Sequence, residues 1–200
     1  MILKIVQAGH PTLRKPTREL SRAEIRSAAV QQLIELMRET MRDAPGVGLA
    51  APQIGLALQL AVIEDREESQ AGIPPERLVE RRRKPVPFHV IINPRIEIAG
   101  DEAEFFEGCL SVAGFGALVP RALEARVDCL DHRGEPHSFA AEGWHARIVQ
   151  HEADHLRGTL YTDRMRPRTF MTIENLNRYW NDLPLEEVLA RLGSAGSYNR

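Results

Sequence analysis

Cysteine is nearly absent from this chain: Cys109 and Cys129 are the only two in 200 residues. Two cysteines cannot build the disulfide framework of a small secreted domain, so stability must come from a buried core. An excess of one charge is missing too. Lys and Arg number 26 against 28 Asp and Glu, a net charge of −2, which gives no global attraction to nucleic acid or an anionic membrane. No apolar run approaches the roughly 20 residues of a membrane-spanning helix. The start, MILKIVQAGHPTLRKPTREL, lacks a signal-peptide apolar stretch with a small-residue cleavage site, and it lacks an Arg/Ser-rich transit composition. A cytoplasmic location is the expectation. Repeats and low-complexity segments are also wanting. What remains is 43% hydrophobic and 27% charged, the composition of a single globular domain.

Residues 1–20 read as irregular, punctuated by Pro11 and Pro16. Ser21 followed by Glu24 is a capping-box pattern, and Ile25, Ala29, Leu33, Leu36, Met37 and Met41 recur at helical spacing. Together they predict a helix over 22–43, ended before Pro45 and Gly46. PGVGLAAPQIG then reads as a loop and Leu58–Glu64 as a strand. Residues 65–87 read as a charged, exposed loop with one helical turn, its basic run Glu80–Pro85 solvated. FHVIINPRIEIAG suggests strand, turn at Asn93-Pro94, strand, and LEARVDCLDHRGEPHSFAAEG a hairpin around Arg133-Gly134. A second long helix spans about 144–157, with Gly158 placed as its C-terminal cap. PLEEVLARLG reads as a short amphipathic helix packed on its own domain. Strands do not alternate with helices, so a doubly wound parallel sheet is excluded. The expected fold is α+β: mostly antiparallel strands around one central helix, with an N-terminal helix and a C-terminal tail. Residues 1–166 form the expected catalytic domain and 167–200 an extension.

The central helix carries His151-Glu152-Ala153-Asp154-His155, an H-E-x-x-H. Histidines four apart share a helix face and can grip one ion. Trp144 and Ile148 lie on that face and supply an apolar wall, and Glu152 can reach a water on the ion. A catalytic site keeps three protein ligands and an open position, so a third ligand is required. The metzincin continuation fails, because Tyr161 stands where its last histidine belongs. Glu174, downstream, lies at a spacing used by glutamate-zincin peptidases. Upstream, Cys109 in EGCLS is a soft ligand with little steric cover from Gly108. Both stay open on the residues alone. Cys129 reads as a small buried hydrophobe. His10, His89, His132, His137 and His145 read as surface residues.

Three stretches, GVGLAAPQ (46–53), EGCLS (107–111) and QHEADHL (150–156), resemble in order the three signature motifs of the peptide deformylases. The similarity continues through LVPR, LDHRGEP, GWHARIVQ and GTLYTDRM, spans most of residues 1–166, and is strongest to the branch that includes organellar and some bacterial members. The resemblance implies that Cys109, His151 and His155 bind one divalent ion, iron(II) natively, with zinc, nickel or cobalt in preparations. It implies Glu152 as general base and acid acting with a hydroxide on that ion, and Gln53 with the Leu110 N–H as oxyanion donors. The reaction would remove formyl from N-terminal formylmethionine of new polypeptides and release formate.

Gly48 would let backbone approach substrate, and Val47, Trp144 and Ile148 would line the methionine pocket, with Trp144 narrowing its mouth. Glu107 and Arg121 would pair to brace the metal loop. The expected partners are nascent formylmethionyl chains, with contact to the ribosome surface permitted; neither a membrane nor a specific nucleic-acid sequence is expected. The chain departs from many bacterial members at Ala113, where they have Pro, and at Gly116, where they have an arginine that contacts substrate backbone.

Overall fold

The computed structural model describes residues 1–181 and 183–192. Ser21 and Glu24 do form a reciprocal capping box, but the predicted first helix is two helices: α1 (Arg22–Ile25) and α2 (Ala28–Asp43). The break falls at Ser27, which is extended (ψ 147°) and caps α2 by accepting from the Val30 N–H. Its hydroxyl also donates to the Glu24 carbonyl at 2.6 Å. A serine side chain that bonds nearby backbone competes with helix continuation, and apolar periodicity does not register that.

Strands β1 (Gly48–Ala50), β2 (Leu60–Asp65), β3 (Val86–Cys109), β4 (Val112–Leu130) and β5 (Pro136–Glu142) follow in chain order as neighbours in one antiparallel sheet. Strand β1 lies inside the stretch expected to be a loop. The 65–87 segment contains a 3-10 turn (Glu67–Gln70) and helix α3 (Pro75–Glu80). The turn expected at Asn93-Pro94 is instead a bulge within β3: register shifts between Ile92 and Arg95, and Asn93 sits at φ 51°. Asn93 holds this left-handed conformation by bonding both backbone groups of Leu20, at 3.0 and 2.9 Å. Pro94 removes a ladder donor, so the strand bends without reversing. The hairpin around Arg133-Gly134 joins β4 to β5, with Gly134 at φ 75°.

Helix α4 (Gly143–Leu156) crosses one face of the sheet and α2 the other. Alternation along β2 sorts the core: Ala61 and Ile63 pack with Ile148 and Val149 of α4, whereas Leu60 and Val62 pack with Ile34, Met37 and Met41 of α2. Covered on both faces, β2 is buried along its whole length. Gly158 follows α4 at φ 75°, and its missing Cβ leaves room for the Arg14 backbone. The chain then runs to β6 (Met171–Thr172), which pairs with β4 at Phe115–Gly116, to α5 (Ile173–Tyr179), and to α6 (Leu185–Leu192), whose Val188 is buried. The expected α+β fold is the one observed. No helix among the described residues is long and apolar enough to cross a membrane.

Candidate metal centre and its pocket

Three parts of the fold converge on one point. The register of β3 against β4 puts Cys109 at the tip of their hairpin, paired with Val112. Helix α4 brings His151 and His155 to it on adjacent turns. Cys109 Sγ lies 3.3 Å from His155 Nε2, and one donor atom from each of the three residues falls within 4.8 Å of the others. Strand β1 contributes Gly48, over which Glu152 lies: a Cβ at Gly48 would overlap the Glu152 carboxylate. The 3-10 turn Ala51–Ile54 contributes Gln53, buried, with Oε1 accepting from the Ala50 N–H at 2.8 Å and Nε2 aimed at Cys109 Sγ at 3.6 Å. That back-bond fixes the amide orientation and leaves its NH2 end toward the site.

The donor set fits a divalent ion. His151 Nδ1 donates to Glu107 Oε2 at 3.1 Å, which leaves Nε2 as its ligating nitrogen, the usual arrangement behind a metal-bound imidazole. Glu152 Oε2 and His155 Nδ1 are buried polar atoms without partners in the protein. Thiolate with two imidazoles suits zinc and iron alike, and three ligands leave a position open.

Behind the donors lies a buried charge network. Glu107 accepts two bonds from Arg121 at 3.0 Å each and a third from Arg147 at 2.6 Å. Arg121 also donates to Asp154 at 2.6 Å, which is held from outside by Arg164 at 2.7 and 2.8 Å. Burial alone would raise the Glu107 carboxyl, but His151 and Arg121 outweigh it and hold it far below the usual carboxylate range. His151 is opposed by burial yet held well above the ordinary histidine value by Cys109 and Glu107; burial and the His151 charge push His155 well below it. Burial raises Glu152 to about 7.

A cavity of about 860 Å³ opens over these groups. Gln53, Cys109, Leu110, His151 and Glu152 lie at its reacting end, and Val47, Gly48, Trp144 and Ile148 form an adjoining wall. His155 and Arg121 lie behind it. Trp144 is half-buried, flanked by the Arg83 and Arg81 guanidinium groups 4.9 and 5.8 Å from its ring centre. Arg83 is anchored to fully buried Asp65 at 2.7 and 2.9 Å.

These observations correct several expectations. The basic run is not a solvated loop: Arg81 and Arg83 are drawn inward against Trp144. His89 and His145 are half-buried, with Nε2 atoms 3.3 Å apart beside Phe139. Glu174 is exposed on α5 and is not part of the converging set; its neighbour Ile173, not Glu174, faces the cavity. Arg147, Asp154 and Arg164 were not anticipated as partners of the site. One signal was available for the first two: they stand seven apart on one face of α4, where a buried arginine and a buried aspartate each require a partner.

Two imidazoles and a thiolate around one point, an unpaired carboxylate beside them and an open cavity above define a single-metal hydrolase on an α+β scaffold. The comparisons narrow the class. The family model for polypeptide deformylase matches residues 2–170. The chain is 50% identical over 190 residues to peptide deformylase 1A, chloroplastic, of Solanum lycopersicum, covering 94% of this chain and 67% of that protein. It is 44% identical to peptide deformylase 3 of Streptomyces avermitilis, covering 96% and 84%. A Met-Ala-Ser-bound class I type b peptide deformylase from Acinetobacter baumannii superposes with a TM-score of 0.73 at 30% identity, covering 82% of this chain and 99% of that one. The chain belongs to the peptide deformylase family and is an enzyme of that kind.

Proposed function

We propose that this pocket removes the formyl group from the N-terminal formylmethionine of newly made polypeptides, releasing formate. The carrying observation is the convergence of Cys109, His151 and His155 beneath the same cavity that Glu152 and Gln53 face. Bound by those three residues, a divalent ion, iron(II) natively, would polarise the formyl oxygen and lower the pKa of a water. Glu152, pushed up to about 7 by burial, takes a proton from the attacking water and later delivers it to the leaving amine. Water adds to the formyl carbon, the C–N bond breaks, and formate and a free amino group leave. Gln53 Nε2 and the Leu110 N–H donate to the oxygen as it gains charge; one such donor is worth about 10²–10³ in rate. Val47, Trp144 and Ile148 receive the methionine side chain, Gly48 admits the substrate backbone, and Glu107 with Arg121 holds the metal loop.

Support for this substrate comes from the Met-Ala-Ser complex of the similar Acinetobacter enzyme. Both cysteines are free, which suits a reducing compartment, and we infer a cytoplasmic setting near the ribosome. The test is formate release from formyl-Met-Ala-Ser by anaerobically purified protein, with metal analysis of the same sample. Glu152→Gln should keep the metal and lose about 10²–10⁴ in rate. No formate with any reloaded divalent metal would overturn the reading.

A further inference from the structure

The two oxyanion donors sit on different parts of the chain, and one short segment grips both. Leu110 and Ser111 form the tip of the β3–β4 hairpin, between the paired Cys109 and Val112. Gln53 belongs to the 3-10 turn Ala51–Ile54. Residues 6–8, part of the irregular N-terminal stretch, bond to each. The Val6 N–H donates to the Gln53 carbonyl at 2.8 Å, and the Ala8 N–H to the Ser111 carbonyl at 2.7 Å. Gln7, between them, is exposed, yet both ends of its amide are engaged by the hairpin. Its Nε2 donates to the Leu110 carbonyl at 2.9 Å, and its Oε1 accepts from the Ala113 N–H at 3.2 Å. Alanine at 113 supplies that second bond; a proline there would have no N–H to give. A surface glutamine costs rotamer entropy to immobilise, and two bonds to one turn hold this one.

The bond to the Leu110 carbonyl reaches the metal's own ligand. That carbonyl and the Ser111 N–H belong to one planar peptide unit, and the Ser111 N–H points at Cys109 Sγ from 3.4 Å. Fixing the oxygen at one end of the plane fixes the N–H at the other. Hydrogen bonds joined in this way polarise one another, so Gln7 also strengthens the N–H that faces the sulfur. The Leu110 N–H lies one Cα away, in the preceding unit, and turns when that plane turns. Resting on the deformylase reading, we propose that Gln7 is a positioning residue for the reaction: it sets the Leu110–Ser111 peptide, and through it both the Leu110 oxyanion donor and the hydrogen bond on the Cys109 sulfur. Acting through the peptide and not on the substrate, it affects the transition state and leaves substrate affinity alone.

The experiment compares wild type, Gln7→Ala and Gln7→Lys, each metal-loaded, in formate release from formyl-Met-Ala-Ser, with metal analysis and melting curves on the same samples. Gln7→Ala should lose about five- to thirty-fold in kcat, with KM and bound metal unchanged. The loss is smaller than the about 10²–10³ for deleting an oxyanion donor, because the donor stays and only its placement loosens. Gln7→Lys keeps a long side chain with a donor for the Leu110 carbonyl and should recover most of the rate. Wild-type kcat in Gln7→Ala would overturn the proposal, and so would a folded Gln7→Lys as slow as Gln7→Ala. A loss confined to KM would make Gln7 a substrate contact instead, and a Gln7→Ala chain that does not fold would make it a structural residue; either result ends the positioning role. No formate from the wild-type chain would overturn the parent reading and this role with it.

Discussion

At the scale of single residues, the site is governed by what each side chain is denied. Glu152 and His155 are each left with a buried atom lacking a protein partner. That is costly in an interior and is retained where chemistry needs it. Glycine at 48 has the opposite character: its absent Cβ is the space that the Glu152 carboxylate occupies. Gly48→Ala should therefore displace the carboxylate by about an ångström and lower formate release by about 10²-fold, leaving bound metal unchanged. Turnover equal to wild type would show that Glu152 does not depend on that space. Glu152, His151 and His155 were legible in the sequence as a motif on a helix face. Which residue joins them was not legible from the residues alone, because Cys109 and Glu174 both satisfied the chemistry and neither is local to the helix.

Among the elements, α4 carries the most, and its two ends differ. Toward its N-terminus, His145 meets His89 of β3, with Phe139 of β5 stacked on His145 and His137 nearby. Burial, with His89, lowers His145 from 6.5 to about 4, and burial lowers His89 as well. Between those values the unfolded chain binds a proton that the folded chain refuses, so this contribution to stability is full above about pH 6.5 and declines as pH falls toward 4. The expected result is a drop in Tm between pH 7 and pH 5 that is smaller in His145→Phe; equal drops would remove His145 as the cause. Toward the C-terminus, Asp154 of α4 shares Arg121 with Glu107 of β3. Arg121→Leu would strand both carboxylates in part and should cost about 3–5 kcal/mol by denaturant titration; a loss within about 1 kcal/mol would place the pair among dispensable ones. Helix boundaries near Ser21 and Gly158 were legible because capping and left-handed residues leave local signatures. The Ser27 break and the Asn93-Pro94 bulge were misjudged because each depends on one side chain bonding backbone, with no change in the apolar pattern.

For the whole molecule, the metal centre is also a fastener. Its donors come from the β3–β4 hairpin and from α4, and unfolding separates them. A divalent ion at about 100 times its dissociation constant should add about 2.7 kcal/mol, or roughly 5–10 °C in Tm for a chain of this length. Stripping with a chelator should reverse that shift, and Cys109→Ser should abolish its dependence on metal. A Tm indifferent to metal in the wild-type chain would mean that the three donors do not act together.

What the sequence determined by itself is everything written over short range. The apolar periodicity and glycine stop of α4, the capping box at Ser21 and the turn at Arg133-Gly134 follow from backbone preferences that a few adjacent residues express. The antiparallel α+β class follows from the order of those elements. What only the tertiary structure decided is which distant residues meet. Cys109 reaches the two histidines through the register of β3 against β4. Arg147, Asp154 and Arg121 close one buried network because three elements pack there. Ile173 enters the cavity wall because β6 pairs with Phe115 and Gly116, on an edge far earlier in the chain. Those meetings are set by packing and register, which residues remote in sequence settle together and which no single segment encodes.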